Sequence, residues 1–307
     1  MPQLAHGEGE AEVQVLRGLR LAVELTIVIL VVEAVGAFFS RSLALTADAV
    51  HDLPDLVAFA VSWGALRATE QGVTAESTYG AHRWEVFASL ANASLILGSG
   101  LLFGYLGAYA LLVGGSFAGP VDAVWLLAAA APTLGLRAVN LSVLARMPGR
   151  VRDLNLRSVV VHLASDLAIT GALLVAGAVL LFHSGAGWVD DAAALAVAAV
   201  LVFESLPLFR DSWDVLGERI PRGITMDEVV KTALSVPGVA EVHDVHVWSL
   251  CPTLVCMSAH VGVRNMSIQE WGRVAATLRQ RMESEYGILH AVFEVESEDR
   301  GPGSAGA

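Results

Sequence analysis

Six long apolar stretches constrain this chain more than any other feature of its sequence. They lie at about residues 16–39, 43–66, 84–112, 120–145, 157–182 and 187–208. Each is long enough for a helix to cross the hydrocarbon core of a bilayer, which takes about 20 residues. The chain is 55% hydrophobic and only 16% charged, as expected if most of it lies in lipid. The sequence therefore predicts a polytopic α-helical membrane protein with six transmembrane helices.

Basic residues in the short connections predict the orientation of these helices. The connections after the third and fifth spans carry no Lys or Arg, whereas the N-terminal flank and the connections after spans 2, 4 and 6 are basic. The positive-inside rule then places both termini in the cytoplasm. An alanine-rich, lysine-poor chain with short loops favours a bacterial inner membrane. A net charge of -12 argues against a nucleic-acid partner, which would need a basic surface.

The composition becomes that of a soluble protein after about residue 208. The segment MDEVVKTALSV has a helical period, and VAEVHDVHVWSL and LVCMSAHVGV alternate as strands do. An amphipathic helix, SIQEWGRVAATLRQRMESEY, and a last strand, ILHAVFEVES, follow. The order predicts a small cytoplasmic α+β domain (α-β-β-α-β). The predicted division is a cytoplasmic tail at 1–15, a six-helix domain at 16–208, the α+β domain at 209–298 and a disordered tail at 299–307.

The second apolar stretch contains ionisable side chains, which are costly inside a membrane and mark functional positions there. In ALTADAVHDLPD, His51 and Asp55 are four residues apart and share one helix face. His162 and Asp166 repeat this spacing in the fifth stretch. Spans 2 and 5 run in opposite directions, so the two pairs can converge near the middle of the membrane, as in inverted-repeat transporters.

Two imidazoles and two carboxylates suit a tetrahedral divalent ion, zinc above all, with Co²⁺, Ni²⁺ and Cd²⁺ as further candidates. The alternative is that each His-x-x-x-Asp pair is a buried ion pair or a hydrogen bond between helices. One such pair is a weak signal, but two pairs, each inside a span, favour a metal site. Asp48, one turn before His51, either orients an imidazole or serves helix packing.

Several segments together resemble the cation diffusion facilitator family, and in particular its zinc-transporting branch. They are SLALTADAVHDLPD, YGAHRWEVFASLANA, DLNLRSVVVHLASD, and VHDVHVWSL with the later MSAHV and HAVFEVES. The resemblance covers about residues 15–298. It implies a homodimer of six-helix protomers that exports divalent metal from the cytosol in exchange for protons. It also implies that His51, Asp55, His162 and Asp166 are the transport ligands. Asp52, Pro54 and the short link RMPGRVRD depart from the family pattern.

The polar C-terminal domain has candidate ligands of its own, His243, His246, His260, His290 and Glu296. The family places metal in this domain in some members, and His243, His260 and Glu296 occupy the closest matching positions. A structural or regulatory Zn²⁺ is one interpretation of these residues. The other is that they are ordinary histidines on exposed strands. Cys256 alternates onto the strand face of His260 and is a further candidate.

The sequence also bears on the energy source and on rival functions. A phosphate-binding loop needs the sequence Gly-Lys-Ser/Thr, but the single lysine, Lys231, follows Val230 and not a glycine. Protons are the natural counter-ion, because histidine must be neutral to bind metal. An intramembrane metalloenzyme would need a string such as His-Glu-x-x-His, which is absent. A metal-sensing or scaffolding membrane protein is the other alternative, but it would have no reason to keep four ligands in the membrane.

Overall fold

The computed structural model describes residues 3–54, 56, 78–80, 82–114, 119–145, 154–183, 185–264 and 266–297. Its first part is helical. The helices are α1 (Gln3–Ser40), α2 (43–54), α3 (His82–Val113), α4 (Ala123–Ala145), α5 (Leu154–Phe182) and α6 (Trp188–Leu216). The second part contains α7 (Met226–Leu234), β1 (Val239–Cys251), β2 (Leu254–Val263), α8 (Ile268–Tyr286) and β3 (Ile288–Ser297).

Five helices in the described part of the chain are long and apolar enough to cross a membrane. Their spanning segments are Arg20–Ser40, His82–Val113, Ala123–Val143, His162–Phe182 and Trp188–Leu216. They correspond to the predicted first, third, fourth, fifth and sixth spans, so the polytopic helical class is confirmed. The predicted second span, at 43–66, is described as helix through residue 54, and the rest of it lies outside the described residues. Helix α1 begins at Gln3, well before the predicted first span.

The helices of the membrane part pack through small and aliphatic residues. Helix α1 contacts α4, and α4 contacts α5. Leu45, Leu126 and Leu201 are completely buried in the shared core. Glycines allow α3 and α6 to approach closely, since a Cβ at Gly107 would lie 3.0 Å from the backbone oxygen of Asp191. Close approach through small residues is the usual way in which transmembrane helices associate.

An aspartate from the start of α6 fixes the beginning of α2. Asp190 is buried, and its carboxylate accepts hydrogen bonds from the Ser42 hydroxyl at 2.5 Å and from the Leu43 backbone N–H at 2.7 Å. The first N–H groups of a helix have no partner within the helix, so a carboxylate at this position satisfies them and is favoured by the helix dipole. Asp190 thereby anchors the helix that carries His51.

The second part of the chain forms the predicted α-β-β-α-β domain. Its sheet has the order β1-β2-β3, with β1 and β2 antiparallel and β2 and β3 parallel. Helix α8 provides the crossover that the parallel pair requires. A capping box of Ser267 and Glu270 begins α8, and Gly287 ends it in the left-handed conformation with φ 66°. Leu278 and Met282 of α8 are buried against the core of this domain.

Candidate metal centre

Side chains of α2 and α5 meet in the interior of the membrane part. His51 Nε2 lies 3.4 Å from Asp166 Oδ1, and His162 Nε2 lies 3.8 Å from Asp166 Oδ2. The two imidazole rings have their centroids 5.5 Å apart in an edge-on arrangement. Zinc binds nitrogen and oxygen at about 2.0–2.2 Å, so two ligand atoms on a tetrahedral ion lie about 3.3–3.6 Å apart. The separation between His51 and Asp166 falls in this range, and that between His162 and Asp166 is slightly longer.

The sequence-predicted residues of this site have different environments. The side chains of His51 and Asp166 are buried, at 1% and 6% exposure, whereas that of His162 is 32% exposed. The structure thus brings together three of the four predicted ligands from two helices. The fourth, Asp55, lies outside the described residues.

A buried arginine on α4 lies beside this site. Nη2 of Arg137 is 3.0 Å from a carboxylate oxygen of Glu33, 3.3 Å from one of Asp48 and 3.1 Å from one of Asp52. Its Nη1 donates a hydrogen bond to the backbone oxygen of Asp166 at 3.1 Å. Arg137 therefore connects α1, α2 and α5 to α4. One guanidinium thus lies among three buried carboxylates from α1 and α2.

The acidic residues of α2 therefore have separate partners. His51 faces Asp166 on α5, whereas Asp48 and Asp52 face Arg137 on α4. Of the two roles left open for Asp48, packing between helices is favoured, because its Oδ1 contacts the guanidinium. Asp52, a departure from the family pattern, has a charge partner in Arg137. Arg137 thereby gives Asp48 and Asp52 a cationic neighbour in a region where an isolated charge would be costly.

A further carboxylate reaches the site from α6. Oε2 of Glu204 lies 3.3 Å from His162 Nδ1, and its Oε1 accepts a hydrogen bond of 2.6 Å from the Ser165 hydroxyl. His51, His162 and Glu204 can each present one ligand atom such that these atoms lie within 4.8 Å of one another. Three helices thus contribute polar side chains to this site.

Sequence reasoning missed Arg137 and Glu204 as parts of the site. Both had a signal, since each is a charged residue inside an apolar stretch, and such residues usually have a function and a partner. Their partners are far away in the chain, however. Arg137 is 104 residues from Glu33, and Glu204 is 42 residues from His162. Helical periodicity cannot relate positions so far apart.

The α+β domain brings its three predicted ligands together. His243 on β1 is paired in register with His260 on β2, and their ring centroids are 5.3 Å apart. Glu296 on β3 lies between them, with one oxygen 3.4 Å from His243 Nε2 and the other 3.0 Å from His260 Nδ1. Each of these three residues can present one ligand atom, and the three atoms then lie within 4.8 Å of one another. This arrangement could hold a divalent ion or serve as a hydrogen-bonded cluster.

The other candidates of this domain lie elsewhere. His246 contacts Asp244 at 2.9 Å, and the ring of His290 packs edge-on against Tyr79. Cys256 is buried, and burial together with the nearby Cys251 raises the pKa of its thiol. Metal binding needs the thiolate, so a raised pKa makes Cys256 a poor ligand at neutral pH. The two cysteines are free thiols.

Family models match nearly the whole chain. The cation efflux transmembrane domain matches residues 19–216, and the cytoplasmic domain of cation efflux proteins matches residues 221–298. The first match alone includes His51, His162, Asp166 and Glu204. The second includes His243, His260 and Glu296.

Individual relatives resemble the chain over most of its length. A metal cation efflux system protein, CzcD, of Cupriavidus metallidurans is 29% identical over 280 residues, which cover 91% of this chain and 86% of that protein. A cadmium, cobalt and zinc/H(+)-K(+) antiporter of Bacillus subtilis is 29% identical, covering 88% of this chain and 85% of its own length. A proton-coupled zinc antiporter of Mus musculus is 27% identical, with coverages of 92% and 79%.

Proposed function

Because the chain belongs to the cation efflux family, we propose that it exports divalent metal ions, chiefly zinc, from the cytosol in exchange for protons. Family membership confirms the resemblance found in the sequence. It likewise confirms the predictions of a divalent metal efflux protein and of a secondary transporter rather than an enzyme. The intramembrane metalloenzyme is thereby set aside. The choice of zinc as the main transported ion and of protons as the counter-ion goes beyond family membership and is proposed here.

The observation that carries the proposal is the convergence of His51, His162 and Asp166 inside a membrane domain. Imidazole nitrogen and carboxylate oxygen are the ligands that zinc prefers when sulfur is absent. Their separations of 3.4 and 3.8 Å suit one ion held between them. Asp55, four residues after His51, is the fourth ligand in this proposal. A metal sensor or scaffold would need no such site between transmembrane helices.

Proton exchange follows from the chemistry of these ligands. An imidazole binds metal only through a neutral nitrogen, so metal and protons compete for His51 and His162. The affinity of the site for metal therefore depends on pH. Zinc arriving from the cytosol displaces protons from the site, and protons arriving from outside displace zinc. The helices alternate between inward-open and outward-open arrangements around the site.

The range of cargo and the assembly are further parts of the proposal. The names of the relatives include cadmium, cobalt and zinc, and the N₂O₂ ligand set also accommodates Ni²⁺. We propose a homodimer in a bacterial inner membrane with both termini cytoplasmic. The predicted division into a tail at 1–15, a membrane domain at 16–208, a cytoplasmic domain at 209–298 and a tail at 299–307 is retained. The match to the family's cytoplasmic domain supports the homodimer.

We further propose that His243, His260 and Glu296 bind a regulatory Zn²⁺ in the cytoplasmic domain. Glu296 has one oxygen toward each histidine, so a single carboxylate can help hold an ion shared by both rings. These side chains are partly exposed, at 42%, 31% and 19%, so an ion can reach them from solution. Such a site would report the cytosolic zinc level to the exporter.

Zinc flux into vesicles tests the proposed function. Purified protein is reconstituted into proteoliposomes, and zinc uptake is followed with an internal fluorescent indicator. We expect uptake well above that of protein-free vesicles, and its loss in Asp166→Asn, which keeps the side-chain shape but removes the charge. Wild-type protein without zinc uptake, or with equal uptake in Asp166→Asn, would contradict the proposal and favour a sensor.

A further inference from the structure

We propose that Glu204 is a positioning residue of the transport site, which holds His162 so that its Nε2 is presented to the metal. This inference rests on the proposed function of His51, His162 and Asp166 as transport ligands. It adds a third helix, α6, to a site that the sequence assigns to α2 and α5. Metal binding then depends on the contacts that Glu204 of α6 makes with α5.

The contacts of Glu204 fix both of its oxygens. Oε2 faces His162 Nδ1 at 3.3 Å, and Oε1 lies 2.6 Å from the Ser165 hydroxyl. That hydroxyl is also 2.8 Å from the backbone oxygen of His162, but it has only one proton to donate. The contact with Glu204 has the length of a charge-assisted O–H···O⁻ bond, so we assign the proton to it. Ser165 thus orients the carboxylate, which in turn faces the imidazole.

The two nitrogens of His162 have different neighbours. Nδ1 faces Glu204, whereas Nε2 faces Asp166, which also contacts His51. A neutral imidazole carries one N–H, and the hydrogen bond made by one nitrogen decides which nitrogen is left to bind metal. A carboxylate acceptor at Nδ1 keeps the proton there and leaves the Nε2 lone pair toward Asp166. Histidines that bind metal usually donate their other N–H to an acceptor of this kind.

The two histidines differ in how firmly packing holds them. His51 is almost completely buried, so its ring is confined by its neighbours on all sides. His162 is 32% exposed, and packing alone leaves its ring more freedom. A hydrogen bond from a neighbouring helix therefore has more effect on His162 than a similar bond would have on His51. Glu204 contacts the ring of His162, the more exposed of the two histidines.

Direct coordination by Glu204 is the alternative role. The positions of His51, His162 and Glu204 would permit it, since their ligand atoms can lie within 4.8 Å of one another. That group does not include Asp166. Asp166, however, has one oxygen toward each histidine, at 3.4 and 3.8 Å. With Asp166 as the ligand shared by both rings, Nε2 of His162 faces the ion and Glu204 lies behind the ring, at Nδ1.

The test compares the zinc dependence of flux in Glu204→Ala and Glu204→Gln. Loss of an acceptor behind a metal-binding histidine lowers metal affinity about 10–100-fold, so we expect the alanine variant to raise the KM for zinc by about that factor. The maximal rate should change less. Glutamine still offers a carbonyl oxygen to Nδ1–H, so its KM should stay within a few-fold of wild type. Asp211 is an acid on the same helix, and it contacts Arg222. The variants Asp211→Ala and Asp211→Asn are therefore the matched controls.

The outcomes separate this inference from the proposed function. Absence of zinc flux in wild-type protein would contradict the proposed function. Wild-type flux together with an unchanged KM in Glu204→Ala would overturn only the role of Glu204. If glutamine impairs flux as severely as alanine and changes the preference among zinc, cadmium and cobalt, Glu204 is a ligand and the positioning role is wrong.

Ser165→Ala provides a second variant should the Glu204 variants fail to fold. It leaves the carboxylate in place but removes the hydroxyl that orients Oε1. We expect a smaller increase in KM, of a few-fold, with little change in maximal rate. An unchanged KM in Ser165→Ala would count against the oriented carboxylate. Size-exclusion chromatography in detergent checks the folding of each variant.

Discussion

Replacing Arg137 by methionine should strongly destabilise the membrane domain. Methionine keeps much of the apolar stem but removes the guanidinium, whose Nη2 contacts three carboxylates at 3.0–3.3 Å. The arginine side chain is 3% exposed, and those of Glu33, Asp48 and Asp52 are no more than 6% exposed. The substitution therefore leaves three buried carboxylates without their shared cation.

The expected magnitude follows from this burial. Removal of one partner from a buried ion pair costs about 3–5 kcal/mol, because the remaining charge has no compensation. Protonation of the remaining carboxylates limits the loss, so we expect the free energy of unfolding to fall by about that amount rather than by a multiple of it. For a domain of this size, the unfolding midpoint should decrease by on the order of 10 °C.

Thermal unfolding of the detergent-purified protein measures this effect. Arg20→Met is the matched control, because Arg20 pairs with Glu24 at the surface, at 83% and 56% exposure, where an ion pair is worth about 0–1 kcal/mol. Adding Asp52→Asn to Arg137→Met should recover part of the loss, since one of the remaining charges is then removed. An Arg137→Met variant that melts like Arg20→Met, or a double variant no more stable than Arg137→Met alone, would contradict the role of Arg137 as the shared cation of these carboxylates.

Three further predictions concern coupling, selectivity and regulation. A proton gradient directed toward the cytosolic side should accelerate zinc export, and zinc affinity should decrease as pH falls, because protonated imidazole cannot bind metal; zinc flux indifferent to imposed pH gradients would favour facilitated diffusion. His51→Asp should retain some transport but lose preference for zinc over cadmium and manganese, because carboxylate favours harder and larger ions; an unchanged ratio in competitive flux would mean that imidazole does not set selectivity. Glu296→Gln should lower the number of zinc ions bound per chain at equilibrium by one, while the ion at His51 and Asp166 stays bound; equal binding by the variant and wild type would contradict the proposed cytoplasmic zinc site.

The parts of the fold that depend on local periodicity could be predicted from the sequence. Apolar stretches of about 20 residues identified the membrane helices, and alternation of apolar and polar residues identified the strands of the α+β domain. The spacing of His162 and Asp166 placed both on one face of α5 because residues four apart on a helix always share a face. Resemblance to the family, rather than pattern, selected His243, His260 and Glu296 from the histidines of the last domain.

The parts that depend on which helices are neighbours could not be predicted in this way. The contacts of Arg137 need α4 to lie beside α1 and α2, and those of Glu204 need α6 to lie beside α5. Helical periodicity determines the face of its helix on which a charged residue lies. It does not identify the partner, which belongs to a segment tens of residues away in the chain. Charged residues inside apolar stretches can be recognised as functional candidates from sequence, but their roles become apparent only in the packed structure.

Initial zinc flux in single-residue variants measures whether His51, Asp55, His162 and Asp166 hold the transported ion. His51→Ala, Asp55→Ala, His162→Ala and Asp166→Ala are reconstituted beside wild type and the control Asp211→Asn at equal protein density and one pH. If two imidazoles and two carboxylates hold the transported ion, each alanine variant that folds should lose metal-dependent flux, while the control retains it. Near-normal flux in any of the four variants would remove that residue from the transport site. Near-normal flux in both histidine variants would contradict the account of the site as a whole.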